Sequence, residues 1–135
     1  MQREIKFRGK TLSGGFVYGD LLHYTNPYEG DKVNNGCIIV TEYKSDKDNS
    51  FKIVDPETIG QFTGLYDKNG KDIYEGDIII FDNHLQGISQ VVYDYAGFDV
   101  DSKTYRTALR PMMNNHMRVV GNIHDNPELL KGGAE

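Results

Sequence analysis

The sequence has no tryptophan and a single cysteine, Cys37. A lone thiol cannot close an intramolecular disulfide, and no second cysteine can complete a thiolate metal site. A disulfide-stapled secreted scaffold and a zinc finger are therefore both disfavoured. Cys37 opens the apolar run CIIVTEY, where a thiol is expected to be buried and unreactive. This use of cysteine predicts a protein of the reducing cytoplasm.

Long apolar runs are also missing. No stretch approaches the roughly 20 apolar residues that are needed to cross a membrane. The opening segment, MQREIKFRGK, lacks the apolar core of about 7–15 residues that defines a signal peptide. We therefore expect a cytoplasmic protein with no membrane partner.

Positive charge is in short supply, because 15 Lys and Arg residues face 20 Asp and Glu residues and leave a net charge of −5. Phosphate binding is driven by an excess of cationic side chains, so the chain as a whole has no general attraction to nucleic acid or to an anionic membrane. Any nucleic-acid binding must come from a local basic patch.

Motifs for catalysis are absent as well. The chain has no Gly-x-Ser-x-Gly elbow, no GxxxxGK phosphate loop and no dinucleotide fingerprint. Histidine is the commonest neutral metal ligand, but the histidines here show no recognised ligand spacing; they are His23, His84, His116 and His124. We expect no catalytic residue, no metal and no cofactor, and hence not an enzyme.

The segment Tyr74-Glu75-Gly76-Asp77 places two carboxylates beside a glycine. Such a pair is compatible with general acid–base catalysis or with a cation site. It is also an ordinary turn, in which Glu75-Gly76 reverses the chain and Asp77 accepts backbone hydrogen bonds where the next strand begins. We favour the turn.

The residues that are plentiful favour β-structure. Tyr, Phe, Val and Ile suit a pleated surface, while 15 glycines supply turns and no segment keeps a helical period over three turns. Alternation predicts a first strand over Arg3–Arg8 with Ile5 and Phe7 pointing inwards, paired in a hairpin with the following strand. Asp55 before Pro56 predicts a capped helical turn.

Two further patterns lie in the second half of the chain. Asn69-Gly70 supplies the positive-φ residues of a tight turn and is the strongest hairpin signal. Asp77–Asp82 and Gln90–Val100 are each predicted to be one strand, paired with each other, with a glycine that marks a bulge in the second.

Together these patterns predict a mainly β protein of short antiparallel strands with few short helical turns. The length suits a single domain, 1–135. Within it, strand length and spacing predict an N-terminal β extension over 1–61 and an SH3-like small barrel over 62–135.

Four segments carry a family resemblance: REIKFRGK, GGFVYGDLLHY, VDPETIGQFTGLYDKNGKDIYEGDIIIFD and VVGNIHDNPELL. In this order they resemble the YopX family of phage and prophage proteins. The resemblance implies a phage or prophage context and a β-rich fold. It brings no assigned activity and no catalytic residues.

One stretch, Ser102–His124, is locally basic and has no acidic residue. A β-barrel with such a patch can bind single-stranded nucleic acid through phosphate contacts and base stacking. The candidate contacts are Lys103, Tyr105, Arg106, Arg110 and Arg118. A solvated strand face explains the same charges at this modest density.

The same stretch holds three methionines beside Pro111, namely Met112, Met113 and Met117. Methionines fill irregular gaps in cores, but on a loop they also serve adaptable interfaces. Tyr93 and Tyr95 share one face of their strand and are expected to extend such a surface or to line the barrel.

Our leading hypothesis is a non-enzymatic protein-binding or self-assembling module that acts through exposed strand edges and the methionine loop. Its partner is a second copy, giving a homo-oligomer, or another phage or host protein. The alternative is nucleic-acid binding by the basic stretch.

Overall fold

The described residues form antiparallel strands. The computed structural model describes residues 4–24, 36–40, 51–82, 87–102 and 105–132. Its strands are β1 (Phe7–Lys10), β2 (Phe16–Tyr24), β3 (Gly36–Val40), β4 (Phe51–Val54), β5 (Gly60–Tyr66), β6 (Asp72–Tyr74), β7 (Asp77–Phe81), β8 (Ile88–Asp94), β9 (Gly97–Asp101), β10 (Arg106–Ala108) and β11 (Met117–Asn122).

The helical segments in the described part of the chain are short. Two 3₁₀ helices cover Pro56–Thr58 and Pro111–His116, and α1 covers the five residues Glu128–Gly132. The prediction of a mainly β protein with few helical turns is therefore confirmed. None of these helices has the length and apolar character that crossing a membrane requires.

The polypeptide forms two compact units, Met1–Gln61 and Phe62–Glu135. β5 begins in the first unit and ends in the second. That residues 1–135 act as a single domain stays a prediction.

In the N-terminal unit the strand order is β4-β3-β2-β1, and β1 also pairs with the first residues of β5. The hairpin of β1 and β2 was predicted and is confirmed. Its core is built on Ile39 and Val54, against which Phe7 and other partly buried apolar side chains pack. Ile5 was expected to point inwards, but this was wrong: β1 begins only at Phe7, and Ile5 is exposed.

A close backbone approach fixes β1 against β4. A Cβ atom at Gly9 would lie only 2.9 Å from Val54 Cβ, so glycine lets the two strands come together. The predicted capped turn follows directly after Val54, since the carboxylate of Asp55 accepts a hydrogen bond from the Glu57 N–H at 3.0 Å. The Asp55 N–H donates to the carbonyl of Lys10 at 2.8 Å and ties this turn to β1.

The C-terminal unit contains a five-stranded sheet in the order β10-β9-β8-β7-β11. Its buried core is Ile73, Ile79, Phe81, Val91, Val100 and Met117. Among the described strands no ladder joins β10 to β11, so the sheet is open and the predicted SH3-like barrel is not confirmed.

The segment Gln90–Val100 was predicted to be one bulged strand, and this was wrong. It contains two strands, β8 and β9, which pair in register from Gln90↔Asp101 to Asp94↔Gly97. Tyr95 and Ala96 form the two-residue turn between them. The expected pairing of β7 with β8 is confirmed.

The acidic segment before β7 is a turn, as expected. Gly76 adopts a φ of +93°, which a glycine tolerates, and its N–H donates to the carbonyl of Val91 at 2.8 Å. Asp77 is buried, and its Oδ2 accepts a hydrogen bond from the Tyr74 N–H at 2.8 Å. The Asp77 carboxylate is thus part of the fold at the entrance of the strand.

A second buried carboxylate, that of Asp67, organises the predicted turn at Asn69-Gly70. Its Oδ1 accepts the N–H groups of Asn69 at 2.8 Å and Lys71 at 3.0 Å, while Oδ2 accepts the Val119 N–H at 3.0 Å. Lys68 donates its N–H to the carbonyl of Met117 at 3.0 Å. The turn therefore caps the outer edge of β11.

These hydrogen bonds set the acidity of Asp67. Burial alone would raise its pKa, but the N–H donors of Val119, Lys71 and Asn69 stabilise the anion and bring the pKa below its ordinary value of 3.8. A lowered pKa means that the folded state holds the ionised form more favourably than the unfolded state does.

We expect Asp67→Asn to lower the free energy of unfolding at pH 7 by about 1–3 kcal/mol. The amide keeps one acceptor oxygen and turns its NH₂ group towards a backbone N–H donor. Urea unfolding followed by circular dichroism measures the loss. Asp55→Asn is the matched control, because asparagine caps a helix as well as aspartate does; an equal loss in both variants would contradict this role for Asp67.

The contribution of Asp67 should depend on pH. The carboxylate is ionised in both states well above pH 4, so its stabilisation is complete there and is lost as the pH falls through the lowered folded-state pKa. The difference in unfolding free energy between the wild type and Asp67→Asn should therefore shrink below about pH 4. A difference that stays constant down to pH 2 would show that the charge plays no part.

Candidate protein-binding surfaces

The N-terminal sheet has an apolar second face. Side chains alternate across a strand, so the residues next to the core positions Val17, Leu21 and Val54 point away from that core. The exposed apolar residues at such positions are Tyr18 and Leu22 on β2 and Phe51 and Ile53 on β4. Their exposed fractions run from 43 % for Phe51 to 55 % for Ile53. We call these four residues the outer face.

The register brings the outer-face residues into line across three strands. Leu22 is opposite Ile38 on β3, and Ile38 is opposite Ile53 on β4. Phe51 occupies the next row towards Tyr18, opposite Val40. The register thus places Leu22 on β2 and Ile53 on β4 in the same row of the sheet.

Two cationic residues, the buried Arg8 and the half-buried Lys10, lie on the β1 side of this surface. Arg8 is opposite Tyr18, and its guanidinium carbon lies 4.5 Å from the centroid of the Phe16 ring. The Nζ atom of Lys10 lies 5.6 Å from the same centroid. Both are cation–π distances. Asp20, on β2, is exposed between Tyr18 and Leu22.

β4 is the outermost of the described strands on its side of the N-terminal sheet. Lys52 is exposed on it and is opposite the fully buried Ile39 in the register. A charged side chain on the core side of an edge strand is a common device against the addition of another strand. Strand addition at β4, one of the edges in our sequence hypothesis, is therefore disfavoured.

The turn between β8 and β9 is strained and exposed. Tyr95 and Ala96 adopt φ values of +50° and +64°, which are the positive angles of a type I′ turn and cost most non-glycine residues energy. The side chain of Tyr95 is 91 % exposed and gains little packing in return. We call residues 94–97 the tyrosine turn.

Arg106 was predicted to contact nucleic acid, but its guanidinium is held by two carboxylates. Nε donates to Asp99 Oδ2 at 3.1 Å, and Nη2 donates to Asp94 Oδ2 at 2.9 Å. Partial desolvation tends to lower the pKa of Arg106, but the hydrogen bonds to Asp99 and Asp94 outweigh it and raise the pKa. The guanidinium thus braces β10 against the tyrosine turn.

The other predicted nucleic-acid contacts do not all gather in one place. Tyr105, Arg110 and Arg118 are exposed, whereas Lys103 lies outside the described residues. Arg118 is opposite Ile80 on β7, at the end of the sheet where Lys68 and Asp82 meet.

A small basic cluster does surround Asp82. Lys68 Nζ lies 2.8 Å from Asp82 Oδ1, and the Asp82 N–H donates to the carbonyl of His116 at 2.8 Å. The hydrogen bond from Lys68 is the main reason that the pKa of Asp82 falls below its usual value, and His116 and Arg118 act in the same direction. Lys68 was not among the sequence candidates.

The three candidate methionines take different positions. Met112 is exposed, Met113 packs partly against the core, and Met117 is a fully buried member of that core. Met117 has no surface to offer a partner because its strand directs it inwards, opposite Phe81. Of the three, Met112 is the one that the structure leaves open to solvent.

Within the described ranges, no three His, Cys, Asp or Glu side chains come together in a way that could hold a metal ion. His84 lies outside these ranges. The carboxylates of Asp67 and Asp77 accept backbone N–H groups, which leaves them as parts of turns.

The outer face was missed in the sequence because it depends on register. Phe51 and Ile53 alternate with Lys52 and Val54, and Tyr18 and Leu22 lie next to Val17 and Leu21. The pattern does not say which of two alternating sets faces the core when both contain apolar residues. One signal was available in the sequence. Apolar residues occupy both alternating sets of this segment, with Phe51 and Ile53 in one set and Val54 in the other.

Two comparisons place this chain among known proteins. A family model described as "YopX protein" matches residues 6–131. The crystal structure of protein EF1440 from Enterococcus faecalis is similar in fold, with a TM-score of 0.63 and 24 % identity over 96 % of this chain and 99 % of that one. At this identity the likeness shows the fold. No curated protein matches the chain.

We expect the double substitution Tyr95→Asn and Ala96→Gly to raise the free energy of unfolding by about 1–2 kcal/mol, because Asn-Gly adopts the type I′ angles without strain. Thermal unfolding measures the gain as a higher Tm. Tyr105→Asn is the control, since it removes an exposed tyrosine at a position without a positive φ. If the double variant is no more stable than the wild type, the turn stores no strain.

Proposed function

Because the chain belongs to the YopX protein family, whose name carries no activity, we propose its function from its surface: a non-enzymatic protein-binding module that associates with copies of itself. The context is the one expected from the sequence, a cytoplasmic phage or prophage protein that forms a homo-oligomer or binds another phage or host protein. The SH3-like barrel remains part of the proposal, supported by the hydrogen bonds between the turn at Asp67 and β11.

The observation that carries the proposal is the outer face. Four large apolar side chains, each about half exposed, lie on one face of one sheet. An apolar patch of about 300–600 Å² is the largest that a typical monomeric protein exposes, and such patches commonly mark sites of association. Isolated exposed apolar residues need no such explanation.

The buried carboxylates support the non-enzymatic part of the proposal. A general acid or base must reach a substrate proton at hydrogen-bond distance. Asp67 and Asp77 instead direct their oxygens to the N–H groups of Val119, Tyr74 and neighbouring turn residues. The burial of these two carboxylates is explained by the backbone hydrogen bonds that they accept in the folded chain.

Nucleic-acid binding is the second candidate, and one observation favours it. Lys68, His116 and Arg118 gather around Asp82 with an excess of positive charge. Against it, Arg106 is neutralised by Asp94 and Asp99, and the net charge of the whole chain is −5. Phosphate binding by so few cations would be weak and strongly dependent on salt.

Multi-angle light scattering of the purified chain tests the proposal. Between about 10 μM and 1 mM, the range of weak protein association, we expect the mass to rise above that of one chain. We expect no change in mass when a single-stranded DNA 20-mer is added, at 50 or at 300 mM salt.

A chain that stays monomeric throughout would overturn the proposal that the chain associates with copies of itself. If this monomer also gains mass with the 20-mer at 50 mM salt, and Lys68→Ala with Arg118→Ala removes the gain, the nucleic-acid alternative takes its place. Arg106→Ala is the matched control in that case, because its guanidinium is already paired with carboxylates.

A further inference from the structure

The exposed apolar residues of the described chain include the outer face, the tyrosine turn and Met112, besides single residues such as Leu12 and Tyr105. We propose that the outer face is where two copies of this chain meet, sheet against sheet, about a two-fold axis. This inference rests on the proposed function and adds to it the surface, the occupant and the geometry.

The first argument is continuity. Leu22 and Ile53 occupy the same row on β2 and β4, and the β3 position between them is that of Ile38. Phe51 is in the adjoining row, and Tyr18 is two residues before Asp20 on β2. Exposed apolar side chains on β2 and β4 of one sheet can pack against a second sheet as the two layers of a sandwich do. Met112, on a 3₁₀ helix, offers one side chain.

The second argument concerns the edge. Two copies can also associate by pairing edge strands, and β4 is the outermost of the described strands of its sheet. Lys52 would then be brought to the core side of a joined sheet next to its own copy, which is unfavourable. Phe51 and Ile53 lie on the opposite side of the same strand, where a contact between faces does not involve Lys52.

The third argument is charge. The chain carries a net charge of −5, so two copies repel each other on average. At the tyrosine turn, Asp94, Asp99 and Asp101 outnumber Arg106, and a second copy would meet the same excess of negative charge. Self-association is therefore disfavoured there, although Tyr95 is exposed.

The described part of the outer face carries fewer carboxylates. Asp20 is exposed among its apolar positions, and the half-buried Lys10 lies on its β1 side beside the buried Arg8. A second copy would therefore meet fewer carboxylates there than at the tyrosine turn. Among the described apolar features, the outer face has the most side chains, and its charges allow the same face of a second copy to approach.

Area predicts that the contact is weak. A large side chain buries about 150–250 Å², so four that are half exposed supply on the order of 300–400 Å² per copy. A stable specific interface buries about 800 Å² per partner. The outer face alone thus supports a reversible dimer with a dissociation constant of about 10 μM to 1 mM. In a two-fold contact each substitution is present in both copies at the interface, so its effect on the dissociation constant is amplified.

Sedimentation equilibrium of the full chain tests the inference. We expect Ile53→Lys and Leu22→Lys each to weaken the dimer at least about tenfold, because two charges are buried at once. Leu12→Lys is the matched control: Leu12 is 92 % exposed in the turn after β1, outside the outer face. Tyr95→Lys is the control for the tyrosine turn. Neither control should change the dissociation constant by more than about twofold.

Folding is checked by circular dichroism, and Ile53→Thr provides a milder variant that keeps the β-branched side chain. It should weaken the dimer in the same direction with an unchanged spectrum. A wild-type dimer that survives all three outer-face substitutions, or that Tyr95→Lys disrupts, would overturn the inference and leave self-association standing. A wild-type chain that is monomeric at 1 mM would overturn both.

Discussion

A buried carboxylate that accepts three backbone N–H groups organises the C-terminal unit. Asp67 draws its own turn together through Asn69 and Lys71, and it reaches Val119 on β11. Together with the bond from Lys68 to Met117, it satisfies polar groups along an edge that would otherwise face water or another chain. Met117 can then stay in the core while its carbonyl is paired. Asp67 thus pairs with the outer side of β11, whose inner side is held by the ladder with β7.

The N-terminal unit is arranged differently, with one small core and a second face that keeps large apolar side chains. Gly9 lets β1 approach Val54, and Ile39 fills the centre, so one face is closed. The opposite face keeps Leu22 and Ile53 half exposed. The sheet of the C-terminal unit has a covered edge at β11, whereas the sheet of the N-terminal unit leaves an apolar face exposed. The functional proposal therefore concerns the N-terminal unit.

Local signals in the sequence predicted local structure well. Three turns depend only on neighbouring residues, and each is present in the structure: those at Asn69-Gly70, at Asp55-Pro56 and at Gly76.

The sequence signals failed where the determining contact is distant in sequence or unusual. Val119 is 52 positions beyond Asp67, so the sequence around the aspartate does not indicate this hydrogen-bond partner. Tyr95-Ala96 lacks the glycine that marks most tight hairpins, so one strand was expected where there are two. The predictions of binding surfaces were the least accurate. The inward position of Met117 and the pairing of Arg106 both follow from strand register, which the sequence does not give.

The side of β4 on which Lys52 lies bears on how large any assembly can grow. Contacts between edges repeat without limit, since each added chain presents a fresh edge, and they lead to fibres. A contact between matching faces is complete once two copies have met. A lysine on the inner side of the outermost described strand thus favours an assembly of finite size and disfavours polymerisation of this β-rich chain at high concentration.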